Sequence, residues 1–240
     1  MTHKGAVVTG AAGDIGRAIA KRLADSHDVV MLLDLDSAAL DKAIEELGSD
    51  PRFVPLTCDV TDEASLAETA ARVAGHGLVH TLVNNAGAAR AVSLGDTDGE
   101  IWRKDNALNL EAPFLCFRAF EEALKASKGS LVNISSVNGM AVFGHPAYSA
   151  AKAGLIHLTK LIAVEYGKYG IRSNAVAPGT VRTQAWEARA AANPQVFEEA
   201  KRWYALQRIA TAEDIANAVD AMQRIESSSS QISNIIGVID

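Results

Sequence analysis

The sequence is poor in the residues that mark several common classes of protein. It has only two cysteines, Cys58 and Cys116, which are too few for a disulfide framework and do not have the spacing of zinc ligands. Its 23 basic and 29 acidic side chains give a net charge of -6, which disfavours binding to the negative surfaces of nucleic acid or anionic lipid. We therefore expect no metal site, no nucleic-acid partner and no membrane partner.

Long hydrophobic runs are absent as well. No apolar stretch approaches the roughly 18 residues that a membrane-spanning helix needs. Residues 1–4 lack the apolar core of a secretory signal, and this absence, together with two cysteines expected to be free thiols, predicts a cytoplasmic protein. The length of 240 residues, 48% of them hydrophobic, fits one α/β domain over residues 1–240.

Short apolar runs rich in β-branched residues alternate with longer segments of helical period. Each run is too short for a helix and apolar on both faces, as expected of a parallel strand covered by helices on both sides. The alternation predicts an α/β, doubly wound (Rossmann) fold with about seven parallel strands flanked by helices. The four serines at 227–230 are predicted to form a solvated turn. The predicted strands lie at 6–8, 29–33, 53–54, 82–83, 131–134, 175–177 and 235–239.

The first predicted strand leads into a glycine-rich turn that an amphipathic helix follows at once. The turn contains Gly10, Gly13 and Gly16, which would let a pyrophosphate approach the backbone amides at the positive end of the helix. An ordinary strand-to-helix turn would explain the glycines alone. The second strand, however, ends at Asp34, where a carboxylate can accept hydrogen bonds from both hydroxyls of an adenosine ribose. Together these features predict a dinucleotide-binding site.

Asp34 also indicates which dinucleotide binds. A carboxylate there would repel the additional 2′-phosphate of NADP, and the next residues, Leu35 and Asp36, supply no cation to offset it. Asp14 adds a further negative charge to the glycine-rich turn. The sequence therefore favours NAD over NADP, the alternative being that Asp34 only begins a turn before the second helix.

A second group of polar residues lies at the end of the fifth predicted strand. Ser136 is followed on the next predicted helix by Tyr148 and Lys152, which are four residues apart and so lie on one helix face. A Tyr-x-x-x-Lys pair is common by chance, but its position after the serine makes it informative. Ser135 would point to the opposite side of the strand. A hydroxyl, a phenol and an amine are thus expected to share one site.

These features, in this order, resemble the classical short-chain dehydrogenase/reductase family over essentially the whole chain. The resemblance implies a Rossmann-fold oxidoreductase that interconverts a secondary alcohol and a ketone by hydride transfer. The residues that carry it are the glycine-rich turn, Asp34, the run Asn84-Asn85-Ala86-Gly87 after the fourth strand, the group Ser136, Tyr148 and Lys152, and Pro178-Gly179 after the sixth strand.

The resemblance assigns a role to each of four catalytic residues. Tyr148 would be the general acid/base, with its pKa lowered by the Lys152 ammonium and by the positive nicotinamide ring. Lys152 would also hold the nicotinamide ribose, and Ser136 would stabilise the charge that develops on the substrate oxygen. Asn109, in the long predicted helical segment 101–127, would fix a water that links Lys152 to solvent.

The cofactor contacts are likewise implied by the resemblance. The residues after the third strand would contact the adenine ring, those after the fourth strand would form the floor of the site, and those after the sixth would surround the nicotinamide and pyrophosphate. The predicted cofactor-binding residues are Gly10, Gly13, Asp14, Ile15, Gly16, Asp34, Leu35, Asp59, Val60, Asn85, Ala86, Gly87, Tyr148, Lys152, Pro178, Gly179, Val181 and Thr183.

Asp14 departs from the family pattern because it stands where the classical turn has its middle glycine. The spacing of Gly10, Gly13 and Gly16 resembles the extended branch of the family, which includes sugar-nucleotide epimerases. That branch carries a substrate domain for which this chain has no room, so the classical assignment is kept. Asp14 is expected to cap the first helix with its side chain.

Substrate choice in this family depends on the loops after the fourth, fifth and sixth strands, here 88–95, 138–145 and about 182–205. The last of these is predicted to be a lid, with Trp186, Trp203 and Tyr204 as an apolar wall. We expect a small polar secondary alcohol, such as a sugar, polyol or hydroxy acid, oxidised by NAD+. The predicted substrate contacts are Ser136, Asn138, His145 and Trp186.

Two other functions stay open on the sequence alone. One is the reduction of a 3-oxoacyl thioester or another ketone, which in this family usually uses NADPH and is disfavoured by Asp34. The other is a non-catalytic dinucleotide-binding sensor, which would normally have lost the tyrosine or the lysine. Separately, apolar residues in 101–127 and 148–168, such as Phe114 and Leu161, predict a homo-oligomer, either a tetramer or a dimer, unless they all belong to the core.

Overall fold

The computed structural model describes residues 3–225 and 236–239. Within them the chain forms a parallel sheet of seven strands, which confirms the doubly wound α/β fold predicted from the sequence. The strands are β1 Lys4–Thr9, β2 Val29–Asp34, β3 Phe53–Thr57, β4 Leu78–Asn84, β5 Ser130–Ile134, β6 Arg172–Pro178 and β7 Ile236–Ile239. Their order across the sheet is β3-β2-β1-β4-β5-β6-β7. The predicted turn at 227–230 and residue 235 of the predicted last strand lie outside the described residues.

Helices cover both faces of this sheet. Several begin at an acidic residue that accepts backbone N–H groups of the first turn, as Asp36, Asp62 and Asp98 do. Thr211 and Asp214 form a capping box at the start of the last helix. The helices are α1 Asp14–Leu23, α2 Ser37–Glu46, α3 Glu63–Ala74, α4 Gly99–Asn106, α5 Ala112–Ser127, α6 Pro146–Tyr166, α7 Gln184–Ala192, α8 Val196–Lys201 and α9 Ala212–Arg224.

Two apolar layers hold the helices to the sheet. Because successive strand side chains point to opposite faces, Ala6 and Val8 of β1 belong to one layer and Val7 to the other. The first layer packs under α1 and α9, where Ile19 is fully buried, and the second packs under α3, α5 and α6, where Phe117 is buried. Burial on both faces explains why the strands read as continuous apolar runs in the sequence.

The winding of the chain reverses between β1 and β4. From β1 the sheet extends through β2 and β3 on one side, and through β4 to β7 on the other. The loops that follow β1 and β4 therefore diverge, and a crevice opens at the carboxyl ends of these two strands. This crevice is where the candidate site lies.

The predicted helical segment 101–127 is not one regular helix. Residues Ala107–Glu111 form a short π-helix between α4 and α5, with Asn109 buried at its centre. A π-helix makes i to i+5 hydrogen bonds and so turns the residues that it contains away from their regular α-helical positions. The irregularity sets the direction of the Asn109 side chain.

Candidate active site

The glycine-rich turn after β1 packs directly against the turn after β4. Gly10 has a φ of +62°, and a Cβ added there would lie 2.8 Å from the Cα of Ala86. A Cβ at Gly16 would lie 2.2 Å from the carbonyl oxygen of Gly10. Both positions therefore require glycine, because any side chain would push apart the backbone segments that line the crevice.

The side chains of Thr9, at the end of β1, and Asn85, just after β4, hold the two turns together. The backbone N–H groups of Asn85 and Ala86 each donate to Thr9 Oγ1 at 3.0 Å. The Asn85 side chain donates through Nδ2 to the carbonyl oxygens of Thr9 and Gly10 at 3.1 and 3.0 Å. In the neighbouring position, Asn84 Nδ2 donates to Asn133 Oδ1 at 2.8 Å and so joins β4 to β5. The floor of the crevice is thus fixed by hydrogen bonds between strands.

A cleft of about 490 Å³ opens above this floor. At its far end Asp34 is half-buried, and its Oδ2 accepts the backbone N–H of Ala12 at 3.0 Å while its Oδ1 accepts that of Leu35 at 2.8 Å. The carboxylate therefore joins the end of β2 to the glycine-rich turn. The predicted residues that line the cleft are Gly10, Gly13, Asp14, Ile15, Gly16, Asp34, Leu35, Asp59, Val60, Asn85, Ala86, Gly87 and Thr183, and Leu33, Cys58, Leu108 and Ala185 line it as well.

The sequence predicted that Asp14 caps the first helix, but in the structure it does not. It is the first residue of α1, whose N-cap is Gly13 and has no side-chain cap. Its Oδ1 instead pairs with the Arg17 guanidinium at 2.6 Å, and its Oδ2 accepts the backbone N–H of Gln184 at 2.7 Å. The expectation failed because the acceptor is used by a helix 170 residues away along the chain.

The structure brings Ser136, Tyr148 and Lys152 together beside this cleft. Lys152 is buried on α6, with its Nζ 5.4 Å from the centre of the Tyr148 ring and donating to the Ile134 carbonyl oxygen at 2.8 Å. Ser136 lies at the end of β5 and hydrogen-bonds Tyr148. Ser135 donates to the backbone oxygen of Lys152 at 2.9 Å, and so fixes α6 from the other side of the strand.

Burial shifts the pKa values of both titrating groups of this cluster. It raises the pKa of the Tyr148 phenol above its usual value, against a smaller opposing effect of the Ser136 hydrogen bond. It lowers the pKa of the Lys152 ammonium to about 7. The resemblance implied that Lys152 and the nicotinamide ring together would lower the pKa of Tyr148. In the free protein burial of the phenol has the larger effect, and a lysine with a pKa of about 7 is only partly charged near neutral pH.

Ser136 is held in place by Asn138, which was predicted as a substrate contact. The backbone N–H of Asn138 donates to Ser136 Oγ at 3.2 Å, and Ser136 Oγ is 3.3 Å from Asn138 Oδ1. Asn138 Nδ2 in turn donates to the Gly144 carbonyl oxygen and to Ser149 Oγ. The asparagine thus connects the serine to the start of α6.

Asn109 and Lys152 share a small space beside Gly87. Asn109 Nδ2 donates to the carbonyl oxygens of Ala88 and Asp105 at 2.7 and 2.9 Å, which fixes the amide orientation. The other amide atom, Oδ1, is buried and has no partner among the described residues. A Cβ at Gly87 would lie 2.8 Å from this Oδ1 and 3.3 Å from Lys152 Nζ. An unpaired acceptor and an amine at one glycine provide the polar partners that an ordered water needs.

His145 connects the loops 88–95 and 138–145. It has a φ of +53°, its backbone N–H donates to the Val92 carbonyl oxygen, and its Nδ1 lies 2.9 Å from the Ala91 carbonyl oxygen. Because that carbonyl can only accept, Nδ1 carries a proton and Nε2 is the acceptor of the neutral ring. The imidazole packs edge-on to Tyr148, with 6.4 Å between ring centres.

The 182–205 segment contains α7 and α8. Trp186, predicted as a substrate contact, packs against Phe197 at 6.2 Å between ring centres, within the segment's own apolar cluster. Trp203 reaches across to Phe143 of the loop after β5, at 5.8 Å between ring centres. Phe143 was not singled out in the sequence, because an aromatic residue in a loop gives no local sign of its partner.

Tyr204 fastens the same segment to the residues after β6. Its hydroxyl oxygen accepts the backbone N–H of Thr180 at 2.6 Å and lies 2.9 Å from Thr180 Oγ1. A Cβ at Gly179 would lie 2.6 Å from the Tyr204 ring, so a side chain there would displace Tyr204. The other predicted residues here, Pro178 and Val181, are buried, and Val181 bridges to Ala210.

The residues of this site fit a dinucleotide. Two close-packed glycines and the start of α1 offer backbone N–H groups to phosphates, and Asp34 offers a carboxylate to a ribose. No cluster of histidine, cysteine or acidic side chains suited to a metal ion occurs among the residues that the structure describes. A helix of the length and hydropathy required for a transmembrane span is likewise missing from that part of the chain.

Comparison with known proteins identifies the family to which the chain belongs. A family model described as enoyl-(acyl carrier protein) reductase matches residues 10–235. A crystal structure of an oxidoreductase of the short-chain dehydrogenase/reductase family from Burkholderia thailandensis is 43% identical, with a TM-score of 0.87 over 99% of this chain and 90% of that one. The fold and these matches define an oxidoreductase. The chain belongs to the short-chain dehydrogenase/reductase family, whose members bind NAD(P).

Two relatives have a named activity. A galactitol 2-dehydrogenase (L-tagatose-forming) from Cereibacter sphaeroides is 36% identical over 80% of this chain and 77% of its own length. A trans-4-hydroxycyclohexanecarboxylate dehydrogenase from Sinomonas cyclohexanicum is 39% identical over 76% of this chain and 74% of its own length. Both act on secondary alcohols.

Proposed function

We propose that the protein is an NAD-dependent dehydrogenase that interconverts a secondary alcohol and a ketone, with Tyr148 as the general acid/base. The observation that carries the proposal is the cluster of Ser136, Tyr148 and Lys152 beside a cleft that fits a dinucleotide. The site residues predicted from the sequence come from loops far apart in the chain, and they converge at one edge of the sheet. A sensor that has lost catalysis would not need the phenol, the amine and the hydroxyl in contact.

The three side chains divide the work of the reaction. In alcohol oxidation Tyr148 acts as the phenolate after passing its own proton to the Lys152 amine, and its oxygen accepts the hydroxyl proton of the substrate while the C–H bond of the carbinol carbon breaks and the C=O bond forms. Bound NAD+ supplies the acceptor for the hydride. Ser136, held by Asn138, donates a hydrogen bond to the substrate oxygen as its charge changes. In the reverse direction Tyr148 returns the proton to the oxygen of the ketone.

Lys152, together with a water held by Asn109, would carry the proton away from the phenol. The Lys152 Nζ lies against the Tyr148 ring, and its pKa of about 7 allows it both to take up and to release a proton near neutral pH. A water beside Gly87, donating a hydrogen bond to Asn109 Oδ1, would connect this amine to solvent. Lys152 would also hold the hydroxyls of the nicotinamide ribose.

Asp34 supports NAD as the preferred cofactor. Its carboxylate is held at the end of β2 by the N–H groups of Ala12 and Leu35, and it lies at the wall of the cleft where the adenosine ribose would bind. A 2′-phosphate placed there would meet a fixed negative charge. The remaining cofactor contacts are proposed as the sequence predicted them.

The substrate is proposed to be a small secondary alcohol of the polyol, sugar or hydroxy-acid class. His145, whose Nδ1 faces the Ala91 carbonyl oxygen, can accept a hydrogen bond through Nε2 from a second hydroxyl of such a substrate. The Phe143–Trp203 pair favours one member of this class, a cyclic hydroxy acid, because its apolar ring would pack on these side chains. The named relatives act on one alcohol of each kind, galactitol and trans-4-hydroxycyclohexanecarboxylate.

Assembly into a homo-oligomer and residence in the cytoplasm are proposed as well. Phe114 and Leu161 are each 45% exposed on α5 and α6, and Trp102 on α4 is 44% exposed. Large exposed apolar side chains on surface helices are typical of a subunit interface. Both cysteines are buried free thiols, which suits a reducing compartment.

The first experiment measures NADH formation from NAD+ with galactitol, trans-4-hydroxycyclohexanecarboxylate, further sugars and hydroxy acids, a 3-hydroxyacyl thioester and a steroid. Tyr148→Phe is the blank, since it keeps the ring and removes the ionisable hydroxyl. We expect turnover of a polyol or hydroxy acid to fall at least about 100-fold in the variant, while NADH binding, measured by fluorescence, is retained.

Each other outcome contradicts part of the proposal. Normal turnover by Tyr148→Phe would remove the assignment of the acid/base. Activity on the steroid alone would overturn the substrate class, and activity on the thioester alone would favour the reductase. NADH binding without turnover of any alcohol would favour a sensor.

A further inference from the structure

Asp14 joins three parts of the molecule that surround the dinucleotide cleft. Its Oδ2 accepts the backbone N–H of Gln184 at 2.7 Å, and its Oδ1 pairs with Arg17 at 2.6 Å. Arg17 also donates to the Ala12 carbonyl oxygen at 2.6 Å and pairs with Glu46 of α2 at 2.9 Å. The Asp14 side chain is only 20% exposed. The carboxylate is therefore fixed by partners on both sides.

The contact with Gln184 completes a helix that lacks a cap of its own. Thr183, the N-cap of α7, makes no side-chain hydrogen bond to the first turn. Gln184 is the first residue of α7, and its N–H is one of the donors that a helix start leaves unpaired. The Asp14 carboxylate supplies the missing acceptor, together with a negative charge at the positive end of the helix dipole.

The residues on either side of this hydrogen bond line the cleft. Thr183 and Ala185 are the members of the 182–205 segment that line the same cavity as Gly10 and Gly13. The position of α7 against the glycine-rich turn therefore decides how that end of the cavity is closed. Asp14 is the residue of the turn that holds α7 in this position.

We propose that Asp14 is a positioning residue, which clasps the start of α7 to the glycine-rich turn and thereby sets the rate at which the dinucleotide leaves. This inference rests on the proposed function, because it takes the cavity to be the NAD site. Release of the dinucleotide requires the 182–205 segment to move away from the turn, and that movement breaks the hydrogen bond between Asp14 and Gln184. Arg17 offsets the charge that Asp14 would otherwise direct at a pyrophosphate.

The hydrogen bond can be removed from either end. Asp14→Gly deletes the acceptor. Gln184→Pro deletes the donor and leaves Asp14 in place, and proline is well tolerated as the first residue of a helix. Thr183 has a φ of -133° and a ψ of 165°, the extended conformation that a residue before proline adopts. Gln184→Ala is the matched control, since it keeps the backbone N–H and removes an exposed side chain.

The first measurement is amide hydrogen exchange of residues 185–191 in the free protein. We expect exchange to be about tenfold faster in Asp14→Gly and in Gln184→Pro, as the loss of one charge-assisted hydrogen bond implies, and unchanged in Gln184→Ala. Equal exchange in wild type and Gln184→Pro would overturn the clasp. This measurement needs neither cofactor nor substrate, so its result does not depend on the proposed function.

The second measurement is the dissociation rate of NADH by stopped-flow fluorescence. We expect an increase of about tenfold in each of the two variants and no further increase in the double variant, because both changes remove the same interaction. Slower dissociation from Asp14→Gly with a wild-type rate in Gln184→Pro would show that Asp14 acts only through its charge, and would overturn the proposal. A wild-type protein that does not bind NADH would refute the proposed function and the kinetic role of Asp14, while the exchange result would still decide the contact itself.

Discussion

Gly87 contributes to the site by leaving space. The volume that a methyl group would fill there lies between the unpaired Asn109 Oδ1 and the Lys152 amine. A buried acceptor without a partner costs free energy, so its persistence beside an amine indicates a place for water. At the scale of single residues, the proposed proton path thus depends on the absence of a side chain at Gly87.

Gly87→Ala is expected to lower kcat for alcohol oxidation at least about tenfold, because the methyl group displaces the water that exchanges protons with Lys152. The measurement is kcat at saturating NAD+ and substrate. Gly95→Ala is the matched control, since the nearest atom to a Cβ there is 3.8 Å away. A wild-type kcat in Gly87→Ala would show that protons leave by another route.

Asp34→Ala and Asp34→Asn separate the negative charge of this carboxylate from its role as a hydrogen-bond acceptor. Both remove the charge, so kcat/KM with NADP+ relative to NAD+ is expected to rise about tenfold or more in each. Asparagine keeps one acceptor oxygen for the N–H of Ala12 or of Leu35, whereas alanine loses both, so the KM for NAD+ should rise further in Asp34→Ala than in Asp34→Asn. An unchanged cofactor ratio in both variants would argue against a ribose contact at Asp34.

At the scale of elements, the 182–205 segment is fastened at three places. Asp14 holds its first helix, Trp203 packs on Phe143 near its end, and Tyr204 binds the backbone of Thr180 after β6. The last contact reaches the residues assigned to the nicotinamide, which makes the hydroxyl of one tyrosine a connection between the proposed lid and the cofactor site.

Tyr204→Phe is expected to raise the KM for NAD+ about fivefold, because the Thr180 N–H loses its acceptor at a cost of about 1 kcal/mol and the turn after β6 loosens. The measurement is steady-state kinetics with NAD+ as the varied substrate. Tyr169→Phe, a change at a tyrosine that is 43% exposed on the surface, should leave this KM unaltered. Equal KM values for both variants would mean that the hydroxyl does not support the cofactor site.

The elements themselves differ in how far the sequence predicts them. Strands were recognised because both of their faces are buried, yet β4 extends to Leu78–Asn84 while only residues 82–83 were expected. Thr81 interrupts the apolar run, and its polarity is satisfied by His27, which the sequence does not reveal. The π-helix at Ala107–Glu111 was not predicted either, because its residues carry the same helical pattern as their neighbours.

At the scale of the whole molecule, a buried histidine joins three elements. His27 follows α1, with Nδ1 3.0 Å from the Leu23 carbonyl oxygen and Nε2 3.0 Å from Thr81 Oγ1 of β4. Thr81 Oγ1 also lies 3.3 Å from Gln223 Oε1 of α9. Burial lowers the pKa of His27 from 6.5 to about 4, because the charged ring would lose its hydration.

This pKa predicts that stability decreases in mild acid. The unfolded chain takes up a proton at His27 below pH 6.5 and the folded protein only near pH 4, so the contribution is complete above pH 6.5 and is lost as the pH falls towards 4. Between pH 7 and 5 the loss should be about 2 kcal/mol in the free energy of unfolding. Urea denaturation at both pH values measures this loss. His27→Asn cannot titrate at this position, so its free energy of unfolding should fall by about 2 kcal/mol less than that of the wild type. An equal loss in both proteins would assign the acid sensitivity to other groups.

The location of the site was predictable from the sequence at this scale, whereas its internal contacts were not. Residues just after parallel strands must meet at one edge of the sheet, so Gly10, Asp34, Gly87 and Ser136 could be placed together without coordinates. Asp14 could not be assigned, since its partner Gln184 is set by the packing of distant elements.

The position of β4 next to β1 also constrains how the chain is made. The backbone N–H of Asn85 donates to Thr9 Oγ1 across 76 residues of sequence. In a nascent chain, the glycine-rich turn is therefore synthesised well before the residues after β4 that pack against it. Until β4 emerges, one edge of β1 stays unpaired and open to other strands. An amino-terminal fragment that ends before β4 would therefore have no nucleotide cleft and would be prone to aggregate.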